Sequence, residues 1–452
     1  MKMYATTQPV EKYLNIKLEC DCGRTHYAPI KAVDIRRGAI NALPEYMHRF
    51  GYARPYILCD ATTYKIAGER CEGVLREAGF APDVLILRHL GYDEATLGEI
   101  VINKPDDCDV MIGVGTGSIT DILRFASFKL GLPCFTVATG APMDGFSASV
   151  GIMNVNNLKA TMPAHCTEVI IGDTDVLSTA PYRMTVAGFA DLIGKLNAIN
   201  DWHLGVLING DHYCRSIDTL VMDYVYDILG KAEAIKNRDA KAVGELMNAL
   251  LLTGASISLY GSSRPISGAE HHFSHYLEVL GDQRGKPYAM HGEQVAVGTV
   301  LALTAAAKLA SITPDFDAAR EAAARYDAAA WENEIRRAYG DAADAIIALE
   351  AQAGKNETTG RLKRIDIMQR HWEEVRAMLA GVYPAEKLRA LLKDIGCPCT
   401  PRDIGVTKDV LRDALLYCKE TRARYTVYQL AWDLGLLERL ADELCGAEAC
   451  AD

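Results

Sequence analysis

The sequence predicts an α/β domain followed by an all-α domain. Over roughly the first 165 residues, short apolar runs alternate with helical stretches, which is typical of a parallel sheet with crossover helices. From about residue 175 the strand-like runs disappear, and long stretches with a hydrophobic period of about 3.6 residues replace them. We therefore predict one domain at residues 1–170 and a second at residues 171–452.

Four short apolar runs in the first domain predict strands. These runs, YILC, VLIL, VMI and PCFTV, are too short for helices, which favours buried strands. A helix is predicted at residues 63–78, between the first two strands. The strands are predicted at residues 56–59, 84–87, 110–112 and 133–137.

Helical periodicity covers most of the second domain, which we expect to be all helix. The segment 314–353 is rich in alanine and charge, so it should form solvent-facing helices rather than a site. The long periodic stretches lie at residues 181–203, 213–260, 291–311 and 408–445.

The composition narrows the range of partners. The chain has 452 residues and a formal net charge of -11, and it has no Lys/Arg-rich stripe of the kind that binds nucleic acid. No run of about 18 apolar residues predicts a membrane span, and the N-terminal region lacks the apolar core of a signal peptide. We expect a cytoplasmic protein that has neither a nucleic-acid partner nor a membrane segment.

The cysteines give one weak metal signal. The 13 cysteines are scattered and odd in number, so reduced thiols are the simplest expectation. Cys20, Cys22 and His26 lie close enough in sequence to share a metal. The pattern lacks an obvious fourth ligand and could equally be a tight turn at Gly23 between two strands. Whether these residues bind anything is left open.

A glycine-rich segment, GVGTGS at residues 113–118, lies between a predicted strand and a helix that begins near Ile119. Glycines there let backbone N–H groups approach a phosphate, and the helix N-terminus adds the positive end of its dipole. A dinucleotide pyrophosphate would fit, although a turn without a ligand is the alternative. Asp60, the candidate acid for the ribose hydroxyls, precedes the glycines, which reverses the usual dinucleotide-binding order. This order suggests that adenosine meets an early strand and the pyrophosphate a later one.

Histidines cluster in the segment SGAEHHFSH and just downstream of it. Four of the 11 histidines lie between residues 271 and 291. His271 and His275 would face the same way on a helix, and His291 begins a second helix. Three N or O ligands with an open position would make a Lewis-acid site for zinc or a similar divalent ion. The alternative is that neighbouring groups satisfy these histidines in the core or at the surface.

Five motifs, in one order along nearly the whole chain, resemble a known family. They are GVGTGSITD, TGAPMDGFSAS, DTDVLSTAPYRMTVAGFADLIGK, GSSRPISGAEHHFSH and HGEQVAVGT. The combination closely resembles the sn-glycerol-1-phosphate dehydrogenases, in particular their bacterial branch. That family lies within the superfamily of iron-containing alcohol dehydrogenases, glycerol dehydrogenases and dehydroquinate synthases. The resemblance implies a Rossmann-like α/β domain plus an all-α domain, the dehydroquinate synthase-like fold.

The resemblance implies roles for individual residues. It places the metal ligands at Asp191, His271 and His291, and it gives Asp144 and His275 catalytic roles. One departure is Pro142-Met143, where the family is expected to have Ser-His, so a polar contact from Met143 is in doubt. Together with the acid that the strand order suggested, the expected cofactor-binding residues are Asp60, Gly115, Thr116, Gly117, Ser118, Asp121, Thr136, Thr139 and Ser149.

Two cations are candidates for binding a substrate phosphate. Arg264 stands just before the histidine segment, where a planar guanidinium could bind phosphate through two hydrogen bonds. Lys195 lies one helical turn after Asp191. Either residue could instead be an ordinary ion-pair residue.

The resemblance implies a reaction: metal-dependent, NAD(P)H-linked, reversible reduction of dihydroxyacetone phosphate to sn-glycerol 1-phosphate. The alternatives are a glycerol or polyol dehydrogenase of the same fold and a carbon–oxygen lyase like dehydroquinate synthase. The residues leave open zinc, nickel or iron as the metal, and NADH or NADPH as the cofactor. A homodimer or larger homo-oligomer is expected from the resemblance alone.

Overall fold

The computed structural model describes residues 10–155 and 158–451 of the chain. The chain divides into two compact units, one of residues 1–192 and 215–262 and the other of residues 193–214 and 263–452. Each unit combines two separate chain segments. The domain bounds at residues 1–170 and 171–452 stay a prediction.

A six-stranded parallel sheet forms the centre of the first unit. The strands of the described chain are β1 (Leu18–Glu19), β2 (Thr25–His26), β3 (Ala32–Arg36), β4 (Pro55–Asp60), β5 (Asp83–Leu87), β6 (Val110–Gly115), β7 (Cys134–Ala138), β8 (Val150–Val155), β9 (Leu158–Pro163) and β10 (Val169–Asp173). The sheet order is β3-β10-β7-β6-β4-β5, and every neighbouring pair is parallel. Strands β6 and β7 are buried along their whole length, as expected for a sheet covered on both faces.

Two antiparallel hairpins, β1–β2 and β8–β9, complete the strands of the described residues. The four predicted strands are confirmed as β4, β5, β6 and β7, each within three residues of the expected bounds. The hairpins and strands β3 and β10 were not expected from the apolar runs.

The helices of the described chain are also numbered in chain order, and the first of them alternate with the strands. They are α1 (Leu43–Phe50), α2 (Ala61–Thr63), α3 (Glu69–Glu77), α4 (Glu94–Asn103), α5 (Gly117–Leu130), α6 (Thr174–Leu177), α7 (Tyr182–Ile193), α8 (Lys195–Asn209), α9 (Arg215–Leu229), α10 (Ala232–Lys236), α11 (Ala240–Tyr260), α12 (Ala269–Gln283), α13 (His291–Ala310), α14 (Phe316–Ala324), α15 (Ala328–Tyr339), α16 (Ala343–Ala353), α17 (Thr358–Arg370), α18 (Trp372–Ala380), α19 (Ala385–Asp394), α20 (Lys408–Tyr417), α21 (Val427–Asp433) and α22 (Leu437–Ala447). A π-helical turn, Tyr64–Gly68, joins α2 to α3, so the helix predicted at residues 63–78 is confirmed.

The long periodic stretches are divided into shorter helices. The stretch 213–260 becomes α9, α10 and α11, and α11 begins where the Asp239 carboxylate accepts a hydrogen bond from the Ala242 N–H. The stretch 314–353 becomes α14, α15 and α16, which expose many polar residues and bury a narrow apolar side. Periodicity located the helical regions, and capping residues set the individual ends.

Two helices, α11 and α13, are long and apolar enough to cross a membrane by length and composition. In each, 78% of the most apolar 18-residue window is buried inside the protein. This burial is that of core helices, because a membrane-spanning helix would turn much of its surface to lipid.

Strands β4 and β6 lie side by side, with Leu58 opposite Gly113 in the register. This register brings the carboxyl ends of the two strands, at Asp60 and Gly115, to the same edge of the sheet. The chain continues from β4 to β5 on one side and from β6 to β7 on the other, so the strand order reverses between them. In α/β sheets such a reversal opens a crevice in which ligands bind. We call this place the β4–β6 crevice.

Candidate metal and cofactor sites

Two helices of the second unit present three histidines to one another. His271 and His275 lie one turn apart on α12, and His291 is the first residue of α13. The ring centroid of His291 lies 5.3 Å from that of His271 and 6.0 Å from that of His275. A Cβ atom at Gly298 of α13 would lie 2.7 Å from the carbonyl oxygen of Glu270, so glycine is what permits the two helices to come this close.

A carboxylate orients each of two histidines. The Nδ1 atom of His271 lies 2.7 Å from Oε1 of Glu270, and Nδ1 of His291 lies 2.8 Å from Oε1 of Glu278. Because an ionised carboxylate only accepts hydrogen bonds, each Nδ1 carries the hydrogen and each Nε2 keeps its lone pair. Carboxylate–histidine pairs of this kind typically support metal-binding imidazoles.

Asp191 is the third metal ligand that the family resemblance implies. Its side chain is buried, and its Oδ2 atom accepts a hydrogen bond of 2.8 Å from the backbone N–H of Asp144. One ligand atom each from Asp191, His271 and His291 lie within 4.8 Å of one another. Two imidazoles and one carboxylate suit zinc, nickel or iron, and three protein ligands are the number found in catalytic zinc sites.

A buried polar network lies behind His271. The side-chain N–H₂ group of Asn197 donates hydrogen bonds of 3.0 Å to Asp201 and 2.5 Å to Glu270. Burial and the negative charge of Glu270 raise the pKa of Asp201 to about 7. Burial would also raise the pKa of Glu270, but hydrogen bonds from His271, Gly268 and Asn197 outweigh burial and lower it. The negative charge is therefore held on Glu270, the carboxylate that orients His271.

His275, the third histidine of the group, is a neutral imidazole that feels the charge of an arginine. Burial lowers the pKa of His275 to about 4, although its Nδ1 lies 3.3 Å from Oε2 of Glu278. The positive charge of Arg422 acts on both His275 and Glu278. Arg422 is partly exposed and follows the short helical turn Cys418–Thr421. Arg422 is therefore within electrostatic range of His275 and Glu278.

The glycine-rich segment forms a close-packed turn from β6 into α5. A Cβ atom at Gly113 would lie 2.7 Å from Leu123, and one at Gly115 would lie 2.6 Å from Ile119, so both glycines let α5 pack on the strand. A Cβ atom at Gly117 would lie 3.2 Å from the terminal methyl group of Met143. The turn lies at the β4–β6 crevice and directs the N-terminus of α5 toward it.

The expected cofactor residues near this turn also have structural contacts. Asp60 caps α2, where its Oδ1 atom accepts hydrogen bonds of 2.7 Å and 2.8 Å from the N–H groups of Thr62 and Thr63. Thr116 and Ser118 are partly exposed at the turn. Asp121 accepts a hydrogen bond of 2.5 Å from Arg124. Their roles toward a cofactor stay predictions.

Three further cofactor candidates lie along β7 and the segment after it. Thr136 is fully buried, with its hydroxyl 3.2 Å from that of Thr167, and the N–H of Thr139 donates to the carbonyl of Gly115 at 3.1 Å. Ser149 is partly exposed. Thr136 lies opposite Gly113 in the register of β6 and β7, so both Thr136 and Thr139 adjoin the glycine-rich segment. Cofactor contacts by all three residues stay predictions.

Comparison with known proteins shows which family the chain belongs to. Residues 34–181 match the family model for iron-containing alcohol dehydrogenase. The chain is 33% identical over 426 residues to the glycerol-1-phosphate dehydrogenase (NAD(P)+) of Bacillus velezensis, covering 91% of this chain and 94% of that protein. This chain belongs to the glycerol-1-phosphate dehydrogenase family. Another member, from Halalkalibacterium halodurans, is 26% identical over 415 residues, covering 90% of this chain and 94% of that protein.

Solved structures confirm the predicted fold class. Glycerol dehydrogenase from Schizosaccharomyces pombe aligns over 96% of this chain and 94% of its own, with a TM-score of 0.58 and 16% identity. A probable glycerol dehydrogenase from Sinorhizobium meliloti aligns over 92% of this chain and 98% of its own, with a TM-score of 0.59 and 15% identity. At these identities the likeness shows the fold, which is the one expected for the glycerol-1-phosphate dehydrogenase family.

In this family member, two glycines clamp the loop that carries Asp144. A Cβ atom at Gly188 of α7 would lie 1.9 Å from the carbonyl oxygen of Ala141, and one at Gly254 of α11 would lie 2.0 Å from that of Asp144. The loop backbone therefore lies directly on both helices. This contact fixes the N–H of Asp144 that hydrogen-bonds Asp191.

The two phosphate candidates both lie in the protein interior. Arg264 donates from Nε to Asp211 at 3.0 Å, and from Nη2 to the carbonyls of Asp201 at 2.7 Å and Tyr425 at 2.9 Å. These are the contacts of the ion-pair alternative. Lys195 is fully buried at the start of α8. Phosphate binding by either residue stays a prediction.

Three residues that act on the histidines were not predicted from the sequence: Glu270 and Glu278, which lie against His271 and His291, and Arg422, whose charge acts on His275. A signal for the two acids was present, because Glu270 adjoins His271 and Glu278 lies three residues after His275 on the same helix. Arg422 is about 130 residues further along the chain, and its position could come only from the fold.

Proposed function

We propose that this protein catalyses the reversible, NAD(P)H-linked reduction of dihydroxyacetone phosphate to sn-glycerol 1-phosphate. The observation that carries the proposal is the Asp191, His271 and His291 group in a chain of the glycerol-1-phosphate dehydrogenase family. A degenerate relative would be expected to lose a ligand or its supporting carboxylate, whereas Glu270 and Glu278 both support a histidine. We further infer that the protein acts in the cytoplasm as a homodimer or larger homo-oligomer, as expected from the resemblance.

The metal-ligand group fits a divalent ion. Asp191, His271 and His291 would hold it, and when bound it supplies Lewis-acid polarisation of a substrate oxygen. Glu270 and Glu278 keep Nε2 of the two histidines available as a ligand. His275 turns its Nδ1 to Glu278, which leaves Nε2 of the neutral imidazole as the atom that can accept a proton. Asp144 donates its backbone N–H to Asp191 and so positions that carboxylate.

The β4–β6 crevice fits a dinucleotide. The N-terminus of the 14-residue helix α5 and the turn of Gly115, Thr116, Gly117 and Ser118 would hold the pyrophosphate. Asp60 lies at the adjacent strand end, where it would meet the adenosine ribose. That position agrees with the order of elements along the chain, in which the acid precedes the glycines. When the dinucleotide is bound, its nicotinamide supplies the hydride.

The phosphate end of the substrate is assigned to Arg422. Arg422 is partly exposed and its positive charge acts on His275 and Glu278, so an incoming phosphate would meet a cation within electrostatic range of these two residues. Planar guanidinium groups bind phosphate through two hydrogen bonds, which would favour the phosphorylated ketone over the free one.

The deciding experiment is cofactor oxidation by protein stripped of metal with a chelator. NADH or NADPH is supplied with dihydroxyacetone phosphate or dihydroxyacetone, before and after zinc, nickel or ferrous ion is added. We expect oxidation that requires metal and the phosphorylated ketone. Oxidation with free dihydroxyacetone alone would assign a polyol dehydrogenase instead. No net oxidation with any of these metals would contradict the proposal and favour the lyase alternative.

A further inference from the structure

The N-terminal hairpin forms a second group of metal-ligand residues. One ligand atom each from Cys20, Cys22, His26 and Cys214 lie within 4.8 Å of one another. Cys20, Cys22 and His26 belong to the hairpin β1–β2, and Cys214 immediately precedes α9. We propose that these four residues bind a structural zinc ion, which is separate from the proposed function and does not depend on it.

The hairpin is shaped to present two thiols and an imidazole at one end. Leu18 pairs with His26, and the Gly23 N–H donates to the Cys20 carbonyl at 3.0 Å, which closes the turn between the strands. Gly23 has a φ of +84°, a left-handed conformation that glycine adopts without strain. The tight turn at Gly23, which the sequence left as an alternative to a metal site, is therefore present. It also brings Cys20, Cys22 and His26 together rather than apart.

His26 is oriented as a ligand. Its ring is buried, and Nδ1 lies 2.6 Å from the backbone carbonyl oxygen of Leu259. A carbonyl only accepts, so Nδ1 carries the hydrogen and the lone pair of Nε2 is available. Nε2 lies 3.4 Å from Sγ of Cys22. A thiolate and an imidazole on one tetrahedral zinc ion would be about 3.5 Å apart, and a ligating histidine usually donates its other N–H to a group such as this carbonyl.

Cys214 supplies the fourth ligand that the sequence pattern lacked. It is fully buried, two residues before Ser216 in the first turn of α9. The Sγ atom of Cys20 lies 3.6 Å from the hydroxyl oxygen of Ser216. This contact places the start of α9 against the hairpin, which is why a cysteine so distant in sequence reaches the group.

The ligand types indicate zinc in a structural role. Three thiolates and one imidazole are a ligand set of structural zinc sites, and soft thiolates disfavour magnesium, calcium and manganese. Four protein ligands fill a tetrahedral coordination shell and leave no position for a substrate. The ion would tie residues 20–26 to Cys214 across a chain separation of about 190 residues, so it would restrict the unfolded chain strongly.

The first test is the zinc content of the full-length protein after dialysis against a chelator. We expect wild-type protein to retain one zinc ion per chain, and Cys22→Ser and Cys214→Ser to lose it. Two matched controls should retain it: Cys71→Ser, which is as buried as Cys214, and Cys450→Ser, which is partly exposed like Cys22. Zinc retained by Cys214→Ser, or no zinc retained by wild-type protein, would overturn the proposal.

A second measurement needs no variant and so does not depend on correct folding of a mutant. Wild-type protein produced with cobalt in place of zinc should show thiolate-to-cobalt charge-transfer absorption and the intense visible bands of tetrahedral Co²⁺. Cobalt absorption of octahedral type alone, without thiolate bands, would contradict the assignment. The His271→Ala variant should keep the thiolate bands, so failure of the proposed catalytic metal and failure of this site are distinguishable.

Discussion

The two candidate metal-binding groups differ in the number and the softness of the ligands that they offer. Asp191, His271 and His291 offer three hard or borderline donors, whereas the hairpin group offers three thiols and one imidazole. Three ligands leave room for a substrate, and four do not. Ligand number alone therefore separates a group suited to chemistry from one suited to holding the chain together.

The groups that contact the histidines also differ between the two sites. Both histidines of the first group face carboxylates, Glu270 and Glu278, which strengthen the imidazole as a ligand and fix its direction. His26 faces a neutral backbone carbonyl, that of Leu259. In the candidate catalytic group, carboxylates outside the ligand set add negative charge next to the histidines. In the hairpin group, negative charge would come from the thiolates of the ligands themselves.

The largest expected effect separates the two groups by activity. His271→Ala should lower kcat on the order of 10³-fold or more, because several kcal/mol of Lewis-acid stabilisation would be lost, while the hairpin zinc is retained. Steady-state kinetics and metal analysis on the same preparation measure both effects. The matched control is His272→Ala, because His272 is the adjacent buried histidine and is not among the grouped ligands. Comparable loss of turnover and metal in both variants would break the comparison.

Replacing the supporting carboxylate should have a smaller effect. Glu270→Gln should weaken metal binding by the Asp191 group about 10–100-fold, because the amide cannot orient and polarise His271 as a carboxylate does. Competition with a coloured chelator measures the affinity. Glu350→Gln, at another buried glutamate of the second unit, should leave the affinity unchanged. An unchanged metal affinity in Glu270→Gln would show that the carboxylate beside His271 does not strengthen metal binding. The charge difference between the two groups would then have no functional meaning.

Replacing Arg422 tests whether this residue binds the phosphate of the substrate. Arg422→Met should raise KM for dihydroxyacetone phosphate about 10–100-fold, the effect of one charge-assisted hydrogen bond, and change KM for free dihydroxyacetone little. Arg264→Met should instead lower the melting temperature, because Arg264 bonds to Asp211 and to backbone carbonyls. A selective KM effect in Arg264→Met rather than Arg422→Met would restore the assignment expected from the sequence.

The smallest expected effect concerns the turn of the hairpin. Gly23→Ala should destabilise the protein by about 1–2 kcal/mol, because alanine resists the left-handed φ of +84°. Gly73→Ala, at an open position within α3, should stabilise by about 0.5–1 kcal/mol. Thermal unfolding with and without added zinc measures both. Equal melting temperatures for the two variants would show that the turn geometry does not matter to the hairpin group.

The sequence predicted the core of the fold because its signals were local. Residues 56–59 and 133–137 are apolar runs of strand length, and buried parallel strands have that pattern. Strands β1 and β2 have two residues each, too few to show a period. The hairpin β8–β9 carries mixed residues and was not recognised for a similar reason.

The same distinction holds for the sites. His271 and His275 could be paired from their spacing on one helix, and their neighbours Glu270 and Glu278 could have been read from the same segment. Cys214 and Arg422 could not, because each reaches its group only through tertiary packing. The pattern of Cys20, Cys22 and His26 lacked a candidate fourth ligand because Cys214, the residue that could supply it, stands at a distant helix start.

The clamp on the Asp144 loop has a consequence for the history of this family. Side chains at positions 188 and 254 would displace the backbone oxygens of Ala141 and Asp144, because even a β-carbon would come within 2.0 Å of them. Lineages that keep this loop geometry are therefore confined to glycine at both positions, whatever drift occurs around them. A relative with another residue at either position would need a different path for the backbone of this loop.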